Sequence, residues 1–266
     1  MAWIEDKGQK QGMFKHYLTT ASRNFVRHKL YSMINVGGLA IGLAACLVIA
    51  VFVRYEMSYE GWLPNADGIY RIDIRIFEND LGIPDGLFDS SMGPLKAALE
   101  DNFTEIQEVT RVASRQVIFR NDAEVFSETI TPVDGNFFRV FELTFMAGHR
   151  DNALDDTHSV VLSESLAKKY FGSEDPLNRN ISTIDGETYR VTGVIADLPQ
   201  NTSLSLDMLV LLDSTSPEYP DLYGKWGNLN LDTYMTLRPG LSVNEISSRF
   251  DDLLDNNVPL NIPGLQ

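Results

Sequence analysis

The sequence predicts an α+β domain carried behind one membrane-spanning helix. Three observations point that way. A single uncharged apolar run, "LYSMINVGGLAIGLAACLVIAVFV" (Leu30–Val53), lies near the amino end. Downstream, segments that alternate with a period of two are interleaved irregularly with short stretches of good helix formers. Clusters of Gly, Pro, Asn and Asp punctuate them. A chain of 266 residues is long enough for one large domain or two small ones.

Residues 1–12 read as a tail and residues 13–29 as a cytoplasmic, membrane-surface elbow helix. Phe14, Leu18, Ala21 and Phe25 follow a 4-3-4 spacing, with Lys15, Arg23 and Arg27 mostly off that line. Such a helix lies on an anionic leaflet, with Lys15, Arg23, Arg27 and Lys29 at the headgroups. Residues 1–29 hold six basic and two acidic side chains, whereas everything after Val53 holds 16 basic and 35 acidic ones. The positive-inside rule therefore puts the amino end in the cytoplasm and residues 54–266 outside, in the periplasm of a bacterial cell. An acidic body of this kind repels phosphate backbones and excludes nucleic acid as a partner.

The apolar run, residues 30–53, is a spanning helix. Its 24 residues rise roughly 36 Å as a helix, enough for a hydrocarbon core of about 30 Å. Eleven Leu, Ile, Val and Phe lie between Ile34 and Val53, and they favour insertion by roughly 3–7 kcal/mol. A signal peptide has a shorter apolar core and a small-residue cleavage site, unlike the "VFVRYEMSYEGW" found here. The tetrad Leu43-Ala44-Ala45-Cys46 resembles a lipobox, but apolar "LVIAVFV" follows Cys46 where a lipidated chain turns polar. Tyr31 at one end, and Tyr55, Tyr59 and Trp62 at the other, suit aromatic belts at the two interfaces. Gly38, Gly42, Cys46 and Ala50 recur every four residues as a helix-packing stripe, and Gly38-x-x-x-Gly42 permits close approach of a second helix.

The outer elements follow in order. "GWLPNADG" is a turn. "YRIDIRI" alternates as one half-buried strand, Tyr70, Ile72, Ile74 and Ile76 on one face. "GPLKAALEDNF" starts a helix at Pro94. Thr110–Arg120 and Phe126–Pro132 are strands, and "DGNFFRVFEL" is a short helix behind a capping Asp134. "SVVLSESLAKKYFG" passes from strand to helix, capped by Ser163 and closed by Gly172. Asp185-Gly186 joins two strands as a hairpin, stopped at Pro199. "LSLDMLVLL" is a strand, and residues 213–228 form a loop that marks an insertion or a subdomain border. "LDTYMTLRP" is a strand and "SVNEISSRFDDLLDNN" a helix capped by Ser242.

Site chemistry is sparse. No phosphate-binding loop, G-x-S-x-G, H-E-x-x-H, C-x-x-C or EF-hand pattern occurs, so neither catalytic residues nor a cofactor or metal site are expected. The one cysteine, Cys46, permits no intrachain disulfide and leaves the redox compartment open. His149 and His158, with Asp151, Asp155 and Asp156, could gather a divalent cation, but a solvated loop produces such clusters easily. The N-x-[ST] triplets at Asn102, Asn180 and Asn201 mean little in a bacterial host.

"ASRNFVRHKLYSMINVGGLAIGLA" resembles the elbow and first membrane helix of permease subunits of MacB/FtsX-type ABC transporters. "NADGIYRI", "VDGNFFRVFELTFMAG", "SVVLSESLAKKYFG", "DPLNRNI" and "YRVTGVIADLPQNTSLSLDM" are similar, in order, to segments of their MacB-like periplasmic core domain, from about Met13 to Asp213. The resemblance implies a non-catalytic permease driven by a separate cytoplasmic ABC ATPase subunit. It further implies a second permease copy or half, with the Gly38/Gly42 stripe packing against partner helices, in a lipid bilayer. ATP-driven motion of the helices would rearrange the periplasmic domains to export or extract substrate, with a periplasmic or outer-membrane partner as a further candidate. Family permeases carry three more membrane helices beyond this domain, so the sequence is expected to be the N-terminal portion of a longer chain. The competing function is a single-span, membrane-anchored periplasmic sensing or interaction domain with no ATP coupling.

Overall fold

The computed structural model describes residues 16–17, 19–20, 23, 26–76, 86–121, 124–213 and 224–257. The chain divides into two compact units, Met1–Ser58 and Tyr59–Gln266.

In the first unit, α1 spans Lys29–Glu56, 28 residues without one buried side chain. Among the described residues it is the one helix long and apolar enough to cross a membrane. An uncharged stretch from Leu39 to Val53, mostly Leu, Ile, Val and Ala, carries it, and Arg54 adds a cation in the last turn, where the macrodipole favours one. The described residues between His16 and Arg27 are helical as well. Phe14, Lys15, Leu18, Ala21 and Phe25, which define the amphipathic elbow, lie outside the described residues.

The second unit is α+β. Its strands are β1 (Ile69–Ile72), β2 (Ile74–Ile76), β3 (Gly86–Phe88), β4 (Ser91–Met92), β5 (Ile106–Val112), β6 (Arg115–Asn121), β7 (Glu124–Val133), β8 (Phe145–Gly148), β9 (Ser159–Ser163), β10 (Asn180–Thr183), β11 (Thr188–Ile195), β12 (Met208–Leu211) and β13 (Leu229–Leu237). The helices are α2 (Leu95–Asn102), α3 (Phe137–Val140), α4 (Glu164–Phe171) and α5 (Ser248–Asn257). The order β7-β12-β9-β11-β10-β6 returns to β7, so six strands close on themselves as a small barrel. Closure leaves these strands no free edge. Phe119, Ile130, Val160, Leu162, Val191 and Met208 fill the barrel, and Leu166, Ala167 and Tyr170 of α4 join that core. A second part continues from β7 through β5 and β13 to β1. Leu95 and Leu99 of α2, and Leu253 of α5, pack with Val109 and Met235 there. The third core gathers Phe137 and Phe138 of α3, and Phe141 just past it, with Leu63, Leu209 and Tyr234.

Several expectations hold locally. The Ser163 hydroxyl accepts from the Leu166 amide and caps α4, which Gly172 closes at φ 63°. Asp185-Gly186 turns β10 into β11, with Gly186 at φ 96°. Others change. "YRIDIRI" is two strands: β1 pairs with β13, and beyond Asp73 the chain changes partner to β3. Thr110–Arg120 is likewise interrupted at Ala113-Ser114, although β5 and β6 run in the same direction, both antiparallel to β7 and in one register. Ser242 caps a 3-10 turn, Val243–Glu245, and α5 starts only at Ser248. Asp134 caps nothing: Asn136 holds the N-cap position of α3 without a side-chain bond, and the Asp134 carboxylate is taken by Arg111.

One close approach fixes β8. Gly148 pairs with Gly193 of β11 and sits at φ +79°, and a Cβ there would lie 2.3 Å from the Thr192 carbonyl oxygen. Gly148→Ala should cost more than about 2 kcal/mol, because the clash with the Thr192 carbonyl adds to the strain of one left-handed backbone residue. Chemical denaturation would read it, with amide exchange of β8 rising first.

Candidate functional site

Three residues past α1 the chain enters the second unit at Tyr59-Glu60. Glu60 has φ 55°, a left-handed conformation unusual for a residue with a Cβ. Its backbone holds it there: the Glu60 amide donates to the Asn201 carbonyl at 3.2 Å, and its own carbonyl accepts from the Leu63 amide at 3.0 Å. The carboxylate is a latch. It accepts from the Ser203 amide at 2.6 Å, the Ser203 hydroxyl at 2.7 Å and the Thr202 hydroxyl at 2.8 Å. Thr202 in turn accepts from the Leu204 amide. Hydrogen bonds to an ionised group contribute about 1.5–3 kcal/mol where shielded.

The latched loop, residues 196–207, joins β11 to β12 and reaches a second anchor. Asp197 accepts from the Ser165 amide at 2.8 Å and the Ser165 hydroxyl at 2.5 Å, in the first turn of α4. One loop thus ties the entry point at Glu60 to the helix whose apolar face joins the barrel core.

Beside the latch is a cleft of about 390 Å³ lined by Tyr59, Glu60, Leu63, Ala66, Ile69, Arg71, Phe141, Ser203, Leu204 and Tyr234. Arg71 bonds Asp73 through Nε at 2.8 Å and Nη2 at 3.3 Å. Burial pushes the Tyr234 hydroxyl pKa up, and the charge of Asp232 adds to it. Burial, then the charge of Asp89, also raises the Asp232 carboxyl above its usual range, against Arg71.

Among the described residues, the most buried ion pair lies between β5 and the end of β7. Asp134, 8% exposed, accepts from Arg111 at the amide (2.7 Å), Nε (3.1 Å) and Nη2 (2.8 Å). Lys96 Nζ is 3.3 Å away, and Arg111 Nη1 donates to the Gly93 carbonyl at 2.9 Å. Burial pushes the Asp134 carboxyl up, but bonds and charge from Arg111, with Lys96, outweigh it and hold the pKa below the usual range. Asn136 extends the network to Glu108 Oε2 at 2.7 Å and the Val109 carbonyl at 2.9 Å.

Of the residues singled out in the sequence, Gly38, Gly42, Cys46 and Ala50 all lie on α1. A Cβ at Gly38 or Gly42 would meet nothing within 4 Å in this chain, and the Cys46 thiol is exposed. Arg23, Arg27 and Lys29 are exposed, while Lys15 lies outside the described residues. Tyr31, Tyr55 and Tyr59 are exposed, whereas Trp62 packs against the core that contains Leu63. His149 Nδ1 stands 3.4 Å from Asp151 Oδ2, and among the described residues no three His, Cys, Asp or Glu are placed to hold a metal ion. Sequence reasoning missed Glu60, which enters it only as one of the acidic side chains counted after Val53. It also passed over its partner Asn201-Thr202-Ser203, met as an N-x-[ST] triplet.

A family model for the MacB-like periplasmic core domain matches residues 32–253. Among solved structures, a domain assigned to a permease protein of Porphyromonas gingivalis superposes with a TM-score of 0.65 at 24% identity, covering 75% of this chain and 85% of that one, and shares the fold. The periplasmic region of MacB from Actinobacillus actinomycetemcomitans gives 0.48 at 20% identity, over 63% of this chain and 74% of that one. The extracellular domain of the noncanonic ABC-type transporter YknZ from Gram-positive bacteria gives 0.47 at 18%, over 70% and 94%. No curated protein matches the chain.

Proposed function

Because this chain belongs to the MacB-like periplasmic core domain family, we propose that it is the N-terminal portion of an ABC transporter permease in a bacterial inner membrane. The observation that carries this reading is the continuity of the family match, which runs from residue 32 in the apolar helix to residue 253 in α5 without stopping at the unit border. Residues 1–29 lie in the cytoplasm, residues 30–53 span the bilayer, and residues 54–266 form the periplasmic domain. A separate ABC ATPase subunit closes on ATP and shifts the spanning helices, and a second permease copy packs on the Gly38, Gly42, Cys46 and Ala50 stripe. The chain itself performs no catalysis.

Glu60 gives the mechanism a physical path. A displacement of α1 reaches Glu60 through only Met57, Ser58 and Tyr59. The carboxylate hands it to the 196–207 loop, and Asp197 hands it on to α4 and the barrel. For such a path to couple, the ATPase must favour one of two arrangements of the loop over the other. The moving barrel then drives substrate on the periplasmic side.

Orientation is tested in a Cys46→Ser background with single cysteines at Arg23 or at Ser127, which is exposed on β7. A membrane-impermeant maleimide applied to intact spheroplasts should label Ser127→Cys and spare Arg23→Cys until the cells are opened. The reverse pattern overturns the topology.

A further inference from the structure

The cleft beside Glu60 shares Glu60 and Ser203 with the latch. Its walls are apolar: Leu63, Ala66, Ile69, Phe141 and Leu204. Its volume, about 390 Å³, falls within the range of small-molecule sites. Phe141 meets Tyr234 edge to face at 5.1 Å, which stiffens the floor. Its lining carries both signs of charge, Arg71 and Glu60. Arg71 spends Nε and Nη2 on Asp73 and keeps Nη1, while Asp73 and Asp232 act on the same guanidinium. The lining residue Tyr59 follows the last residue of α1 by three positions, a reach of about 10 Å of extended chain. An apolar slot lined on one side by the Arg71 guanidinium, which Asp73 and Asp232 flank, and tethered this closely to a spanning helix, has the complementarity of an amphiphile with a zwitterionic head.

We propose that this cleft takes one acyl chain of a zwitterionic, ammonium-headed phospholipid from the adjoining leaflet, with the phosphate on Arg71 Nη1 and the ammonium beside Asp73 and Asp232. The proposal rests on the membrane-anchored reading above and deepens it, since it names a lipid as a ligand of the same junction. Glu60, Ser203 and Leu204 belong to both the cleft wall and the latch, so an inserted chain would bear directly on the latched loop.

The test uses the full chain in nanodiscs containing a trace of phospholipid with a photoactivatable diazirine on its acyl tail. Two probes are compared, one with a phosphoethanolamine head and one with a phosphoglycerol head, and the labelled peptides are identified by mass spectrometry. Expected is labelling at Phe141 and Leu204 besides the span, at least threefold stronger with the ethanolamine head. Ala66→Phe, which fills the cleft, should cut the Phe141 and Leu204 label at least fivefold and leave the label on residues 30–53 unchanged. Arg71→Gln should abolish the preference between heads while keeping the cleft label. Thermal midpoints close to that of the parent show that these variants fold. Label confined to residues 30–53 overturns the lipid site and leaves the membrane span standing. Equal labelling by both heads overturns the headgroup assignment. Label absent from residues 30–53 as well overturns the membrane reading itself.

Discussion

Asp134→Ala should destabilise the periplasmic domain by about 3–5 kcal/mol, the range for removing one partner of a buried ion pair. The Arg111 guanidinium, 11% exposed at its side chain, would then stay buried with its principal counter-charge gone. The loss is shared by β5, α2 and the start of α3, since Arg111, Lys96 and Asn136 all belong to one network. Denaturant unfolding of the full chain measures it. Arg111→Ala with Asp134→Ala should cost less than the sum of the singles, because the second change removes the stranded charge. The pH dependence has a definite sign. The Asp134 carboxyl is held below its unfolded value of about 3.9, so the stability it adds is complete at neutral pH. That stability is lost as pH falls through the depressed folded value. Asp232 works the other way: its raised pKa makes the folded state less favourable once the group ionises, and acid relieves that. Asp134→Asn should therefore flatten the acid limb of the stability curve; an unchanged limb would mean that another carboxylate controls it.

Glu60→Ala should uncouple the domain from the ATPase while leaving it folded. It deletes three accepted hydrogen bonds and leaves the strained backbone in place. The Ser203 amide, now open to water, should exchange at least tenfold faster. With the partner ATPase present, the nucleotide-dependent change in exchange across residues 196–207 should disappear although ATP hydrolysis continues. A coupling free energy of about 1–3 kcal/mol corresponds to roughly 5–150-fold in such an equilibrium. Glu60→Gly removes the same bonds but relieves the left-handed strain, so it should be up to about 1 kcal/mol more stable than Glu60→Ala and equally uncoupled. If Glu60→Ala preserves the nucleotide response, the path does not run through this carboxylate.

Much of the local structure was legible. The apolar run, the Ser163 cap, the Asp185-Gly186 hairpin and the Pro94 helix start each depend on residues within one or two turns. Hydrogen bonds and dihedral preferences at that range are set by neighbours in sequence. "YRIDIRI" shows where this stops. Its period of two is real, since Ile72 and Ile74 are covered while Arg71 and Arg75 are exposed. Alternation reports which side is buried and is silent about which strand pairs. The partner change at Asp73 therefore left no trace. Asp134 illustrates the same limit. An acidic residue before "GNFF" suits a cap, and a cap would suffice had no guanidinium been near. Arg111 lies 23 positions earlier, and only folding of β5 against β7 brings its bidentate, stronger competitor to the carboxylate.

What the sequence determined by itself was the partition into a lipid-compatible helix and an acidic α+β body. Hydropathy and charge are sums over residues, and they need no partner to be read. What only the tertiary structure decided was the closed barrel, the Asp134 network and the junction at Glu60. Each joins segments up to 143 residues apart, as Glu60 and Ser203 are. Contacts across such distances depend on how loops close in space, which composition and period do not encode.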